Sequence, residues 1–145
     1  MIQKFYVKWR AKSANHYNSK SYHSLNSDRL KMVRYVEQAL KEYNIKKIED
    51  GHVVKFTFIP FIKTGSGQKS YDMVNYGPSI KMIEDALKHN EIIVDDNDKY
   101  VVNHETKKTI KQKEHDTGFL VIMESFVEQD MSKDYIKMVQ NVLDI

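Results

Sequence analysis

Apolar residues recur along this chain with two periods, and the order in which the periods alternate limits the folds open to it. Lys4-Phe5-Tyr6-Val7-Lys8-Trp9-Arg10 alternates weakly and is rich in β-formers, which predicts a strand. Val53 to Phe61 predicts another: Val54, Phe56 and Phe58 share one face, Lys55 and Thr57 the other. Between these strands Leu30, Val33, Val36, Leu40 and Tyr43 recur at helical spacing. Ser27 is suited to cap that helix and Asp28 to its first turn, with an end near Tyr43-Asn44. Pro78 opens a second helix, with Ile80, Ile83 and Leu87 inward and Lys81, Glu84, Asp85 and Lys88 on the polar side. Ile92–Val94 and Lys99–Val102 read as strand segments around an acidic cluster, and Gly118–Phe126 reads as a further strand. Ser132 is placed to cap a last helix over about 132–144, with Ile136, Val139 and Leu143 as its inner stripe. The resulting order, β-α-β-α-β-β-α, has no internal repeat and no linker. It predicts a single α+β domain over residues 1–145, a mixed sheet with packed helices. Strands separated by helices permit parallel pairing, and the last two permit a hairpin.

Composition narrows the function classes. The chain has 145 residues, enough for one core and not two. Hydrophobic residues are 41% and charged residues 30%, a globular balance. Apolar runs last only a few residues, so no membrane partner is expected. Met-Ile-Gln-Lys begins no secretory segment, and the cytoplasm is the expected location. Cysteine is absent, which excludes disulfides, thiolate zinc sites and a thiol nucleophile. The six histidines lack zinc-ligand spacing and read as surface or satisfied residues.

The net charge of +3 is unevenly spread. Residues 1–47 hold eleven Lys/Arg and three Asp/Glu, a balance of +8; the remainder holds twelve and seventeen, a balance of −5. A basic half suits phosphate, although lysine-rich faces also serve simply as solvated surface. Residues 11–26 are polar and turn-like and interleave Lys12, His16, Tyr17, Lys20, Tyr22 and His23. That mixture can contact phosphates and stack on bases, or form a surface loop. The acidic half contains Ile92-Ile93-Val94-Asp95-Asp96-Asn97-Asp98. Carboxylates this dense repel one another, and a divalent cation relieves the repulsion. Oxygen-only ligands favour Mg²⁺ or Mn²⁺. An acidic turn after a short strand is the simpler alternative. Thr64-Gly65-Ser66-Gly67 lacks the Gly-Lys-Ser/Thr that opens a phosphate-binding helix and reads as a turn.

The run Asp72-Met73-Val74-Asn75-Tyr76-Gly77-Pro78-Ser79-Ile80-Lys81-Met82-Ile83-Glu84-Asp85-Ala86-Leu87, followed by Asp95-Asp96, resembles the RusA-like family of Holliday junction resolvases, common in phages and prophages. That family's pattern is Asp-x-Asp-Asn, a helix with Lys and Asp-Ala-Leu, then an Asp-Asp pair. Lys8-Trp9-Arg10-Ala11-Lys12-Ser13-Ala14-Asn15 also resembles the family's strand-Trp segment leading into a Ser-Asn turn. The likeness covers roughly residues 3–126; the last helix lies outside it. It implies a Mg²⁺- or Mn²⁺-dependent endodeoxyribonuclease that resolves four-way junctions in recombination and repair, a homodimer, in a bacterial host cell. By the same resemblance Asp72 and Asp96 are metal-binding aspartates, with Asp95 next. Lys81 matches the catalytic lysine if three extra residues stand between Asn75 and the helix. Asn75 and Asp85 match supporting positions. The second aspartate of the pattern is replaced by Val74, which cannot bind a cation; Asp95, Asp98 and Glu84 are the nearest oxygen donors in sequence.

The residue types suit phosphodiester hydrolysis. A carboxylate-held Mg²⁺ activates water and relieves phosphate charge, and a lysine stabilises the pentacoordinate phosphorus or the leaving oxygen. The expected DNA contacts are Lys8, Arg10, Lys12, Asn15, Lys20, Lys107, Lys108, Lys111 and Lys113. Two further readings stand beside this one. Asp96 with Glu105-Thr106-Lys107 forms the acid and Glu-x-Lys pattern of restriction-type nucleases, without its usual Pro-Asp opening. The other is a catalytically weak or inactive branched-DNA-binding protein of the same fold, which Val74 favours.

Overall fold

The alternation in residues 53–61 builds the middle of the sheet. In a computed structural model, which describes residues 1–19 and 22–143, β2 (His52–Lys63) is the longest strand. β5 (Gly118–Val127) pairs antiparallel along one side of β2, and β1 (Ile2–Val7) pairs antiparallel with the far side of β5. The other side of β2 takes β3 (Val101–Thr106) and then β4 (Ile110–Gln112), both parallel to it. The sheet is therefore mixed, in the order β1-β5-β2-β3, with β4 continuing the β3 edge. The two strand regions expected to form a hairpin do not pair, because β2 stands between them. The run 107–113 is not wholly a connection either: it contains β4.

The helices are α1 (Ala14–Ser19), α2 (Tyr22–Glu42), α3 (Gly77–His89) and α4 (Glu128–Leu143). Helices α2 and α3 cover the sheet face that carries Val54, Phe56 and Phe58. Met32, Val36 and Ala39 from α2 and Ile80, Ile83 and Leu87 from α3 pack there with Phe5, Val7, Phe119, Val121 and Met123. No helix among the described residues is long and apolar enough to cross a membrane.

Several boundaries differ from the sequence expectation. Residues 11–26 hold α1 and the start of α2, so Ser27 lies inside a helix rather than capping one. Polar, turn-forming composition concealed those turns. β1 ends at Val7, and Lys8-Trp9-Arg10 lies beyond it. Lys20 falls outside the described residues. Ile92–Val94 is no strand. Glu91 adopts the left-handed conformation (φ 59°), and the Ile92 amide donates back to the Leu87 carbonyl at 2.9 Å. This double-back closes α3 and buries Ile92 and Ile93 as its apolar latch. The same device ends α2: Asn44 has φ 51° and the Ile45 amide reaches the Leu40 carbonyl at 2.9 Å. Helix α4 begins at Glu128, ahead of Ser132, and does not close the core. Of its expected inner stripe, Ile136 and Leu143 are exposed and only Val139 is half-buried.

Candidate functional site

The site forms where a single 3₁₀ turn, Met73–Tyr76, feeds into α3. The Asn75 amide closes that turn on the Asp72 carbonyl at 2.8 Å. Tyr76 anchors it from below. Its ring is buried, and its hydroxyl accepts from the Tyr71 amide at 3.1 Å and meets Thr109 Oγ1 at 2.9 Å. Ser79, one turn on, accepts from the Ala11 amide at 2.8 Å, and the Asn15 amide donates to Asn75 Oδ1 at 3.3 Å. Asn75 and Asn15 thus join the turn to α1. With its start fixed at Gly77 and Pro78, α3 presents Lys81, Asp85 and Lys88 on one side.

The apolar latch after α3 carries the chain into the turn at residues 95–98 and places its carboxylates against that same helix. Lys81 Nζ reaches Asp96 Oδ2 and also Asp85 Oδ1 at 3.1 Å. Asp96, which it chiefly meets, raises the lysine's pKa, with Asp85 adding to the effect. Lys88 Nζ pairs with Asp95 Oδ1 at 3.2 Å. The Asp96 amide donates to Asp95 Oδ1 at 2.7 Å, and with Lys88 it holds the Asp95 carboxyl below its usual range. The adjacent aspartates are therefore each matched to a lysine of α3. Their mutual repulsion is answered by ammonium groups as they stand.

Asp72 lies at the head of the 3₁₀ turn, exposed, and its carboxylate makes no hydrogen bond or ion pair among the described residues. Among those residues no three His, Asp or Glu side chains converge to hold a metal. The chemistry of the donors suits a hard cation, since Asp72, Asp95 and Asp96 offer only carboxylate oxygens.

A cavity of about 250 Å³ opens beside Lys81, lined by Met73, Val74, Gly77, Ile80, Glu84, His104 and Thr106. Val74, where the family pattern has its second aspartate, is 81% exposed. Of the three oxygen donors near it in sequence, Glu84 alone lines this cavity. Asp98 is exposed in the turn, and Asp95 is held by Lys88. Glu84 also departs from the polar side of α3 on which its spacing placed it. It is 4% exposed, and its Oε1 meets His104 Nδ1 at 3.0 Å. Burial pushes the Glu84 carboxyl up, and the His104 partner opposes that shift. Sequence reasoning missed this pair. No spacing rule links a helix residue to a strand residue twenty positions later.

The expected DNA contacts divide into two groups. Arg10 is committed to the scaffold: its guanidinium lies 4.0 Å from the Tyr71 ring centroid and donates to the Lys69 carbonyl at 2.7 Å. Lys8 pairs with Glu42 and Lys12 with Asp28, each at 3.5 Å, and Lys107 pairs with Glu105 at 2.9 Å. Lys108, Lys111 and Lys113 are exposed and make no ion pair among the described residues. They follow His104 and Thr106 along the β3–β4 edge. In the restriction-type alternative, Glu105 is paired with the lysine of its own Glu-x-Lys, Lys107.

No protein-family model matches the chain, and no curated protein matches it significantly.

Proposed function

We propose that this protein is a divalent-metal-dependent endodeoxyribonuclease acting on branched DNA. One observation supports the reading above the others. Lys81 and Asp96, fifteen residues apart and on different elements, meet beside an open cavity at the end of a basic sheet edge. Spacing within a helix explains Lys81 with Asp85; it does not explain Lys81 with Asp96.

Asp72 and Asp96 would hold Mg²⁺ or Mn²⁺, with Asp95 the next donor. A bound cation supplies Lewis-acid stabilisation of the phosphate and a more acidic water. The protein's own share falls to three groups. Lys81 offers a compact positive charge to the non-bridging phosphate oxygens. Asn75 holds the 3₁₀ turn against α1, and Asp85 keeps the Lys81 ammonium over the cavity rim. Lys108, Lys111 and Lys113 neutralise backbone phosphates of the flanking duplex.

The partner is taken to be a four-way junction bound by a homodimer, since two coordinated nicks need two sites related by a two-fold axis. Helix α4 supports the dimer. Its Tyr135, Ile136, Met138, Val142 and Leu143 are all exposed. The bacterial cytoplasm, in a phage or prophage setting, goes with the same reading. A non-catalytic junction binder is the second reading, favoured by the absence of an oxygen donor at Val74.

Incubation with a synthetic four-way junction in Mg²⁺ separates them. Paired nicks are expected from the enzyme; retention without nicks would establish the binder. Sedimentation should give about twice the 17.1 kDa chain mass at micromolar concentration. A strict monomer, free and on junction DNA, would refute the paired-site mechanism.

A further inference from the structure

We propose that His104 is the proton-transferring residue of this site and that the buried Glu84 positions it. The inference rests on the endonuclease reading and adds a group that the metal and lysine chemistry does not include. It begins from a carboxylate in an unfavourable place. Glu84 is 4% exposed on the helix face that also carries Ile80, Ile83 and Leu87. An apolar side chain there would pack without desolvating a charge, so stability does not account for the glutamate. The His104 side chain is 58% exposed and needs no carboxylate to remain in solution. The pair is therefore costly on one side and unnecessary on the other, the usual condition of groups kept for chemistry.

The geometry assigns the roles. Glu84 Oε1 lies 3.0 Å from His104 Nδ1. A carboxylate at Nδ1 fixes the proton on that nitrogen and leaves the Nε2 lone pair available. No hydrogen bond among the described residues engages Nε2. The imidazole lines the 250 Å³ cavity together with Lys81 and Thr106. The charged groups around the pair are Lys81 from α3 and Asp96 from the following turn, both felt by Glu84.

In the step, a water oxygen forms a bond to phosphorus as Nε2 takes its proton. The bond from phosphorus to the leaving deoxyribose oxygen breaks, and that oxygen keeps the electron pair. Lys81 offsets the charge on the non-bridging oxygens. The Nε2 proton then passes to the leaving oxygen or to solvent, and the imidazole is neutral again.

Single-turnover nicking of a four-way junction in Mg²⁺ tests the assignment. His104→Ala should slow the chemical step about a hundredfold with junction affinity unchanged. Free imidazole should restore at least tenfold of the loss in a concentration-dependent way. His104→Gln, which keeps a polar group towards Glu84, should fall as far. Glu84→Gln should lose less than His104→Ala and gain little from imidazole. A wild-type rate in His104→Ala, or a loss indifferent to imidazole, overturns the assignment while Asp96→Asn still reports on the nuclease reading. If the wild-type protein binds junctions and never nicks them, the His104 assignment and the nuclease reading fall together.

Discussion

Lys81→Ala separates catalysis from scaffolding most sharply. The lysine has two partners in the structure, and each bounds the stability it can supply. With Asp85 it forms an i,i+4 pair at 3.1 Å, both side chains about half exposed, for which about 0.3–0.5 kcal/mol is typical. Asp96 is more enclosed, at 19% exposure, so its contact is allowed about 1 kcal/mol. Together the loss should stay near or below about 1.5 kcal/mol, a melting shift of about 3–6 °C for a domain of this size. The raised lysine pKa has a definite sign. A cation favoured in the fold contributes fully at neutral pH, and its contribution fades only as pH climbs through the alkaline range. At neutral pH the truncation therefore removes a full charge. If that charge faces the phosphate, the single-turnover nicking rate should fall about 10²–10³-fold, far beyond what a small loss of stability produces. The paired assay is thermal melting beside junction nicking at saturating Mg²⁺. A melting shift of the stated size with an unchanged rate would refute the catalytic argument and leave Lys81 as the counter-charge of two aspartates.

Other outcomes follow from the same geometry. Asp96→Asn should abolish nicking while junction binding in metal-free buffer persists, read by gel shift. Gly118→Ala should destabilise by about 3 kcal/mol or more, because the added carbon would overlap the Val7 carbonyl oxygen and lie 3.0 Å from the Trp9 amide nitrogen; the urea midpoint reports it. The raised Glu84 carboxyl pKa means that this residue's own contribution to stability is fullest at low pH and declines as pH rises above the ordinary carboxylate range. Glu84→Gln should lack that decline, so its urea midpoint should gain on the wild type as pH rises through and above the ordinary carboxylate range. Replacing Lys108, Lys111 and Lys113 together should flatten the log–log salt slope of junction binding by about 0.9 for each phosphate no longer neutralised.

Periodicity located the sheet centre and both core helices, because burial of Val54, Phe56 and Phe58 and of Ile80, Ile83 and Leu87 repeats within a few residues. Where one pattern serves two structures it misled. Ile92-Ile93 has the composition of a short strand, yet the chain uses it to latch a helix end, a choice set by the left-handed turn at Glu91. The first helical turns, at 14–19 and from 22 to 26, lack an apolar stripe long enough to announce them. The candidate site was legible in the same uneven way. Lys81 with Asp85 can be read from spacing, and Lys81 with Asp96 only through the family resemblance. Glu84 with His104 and the commitment of Arg10 to Tyr71 arise solely from tertiary packing. Sequence spacing carries no trace of either.

The pairing of β1 with β5 also sets an order of events. Residue 7 meets residue 119, and residue 2 meets residue 124. Closing so long a loop costs about 2 kcal/mol more than closing one of ten residues. During synthesis at about 5–20 residues per second, the first strand waits about 6–24 s for its partner. Throughout that interval the apolar side chains of Phe5 and Val7 have no strand beside them. β2 and α3, with the Lys81 wall of the cavity, are already synthesised. The sheet is complete only once β5 stands between β1 and β2, with Gly118 close under the Val7 carbonyl. Chaperone dependence and aggregation of nascent chains should therefore be governed by β5, although the candidate chemistry lies on α3 and the turn after it.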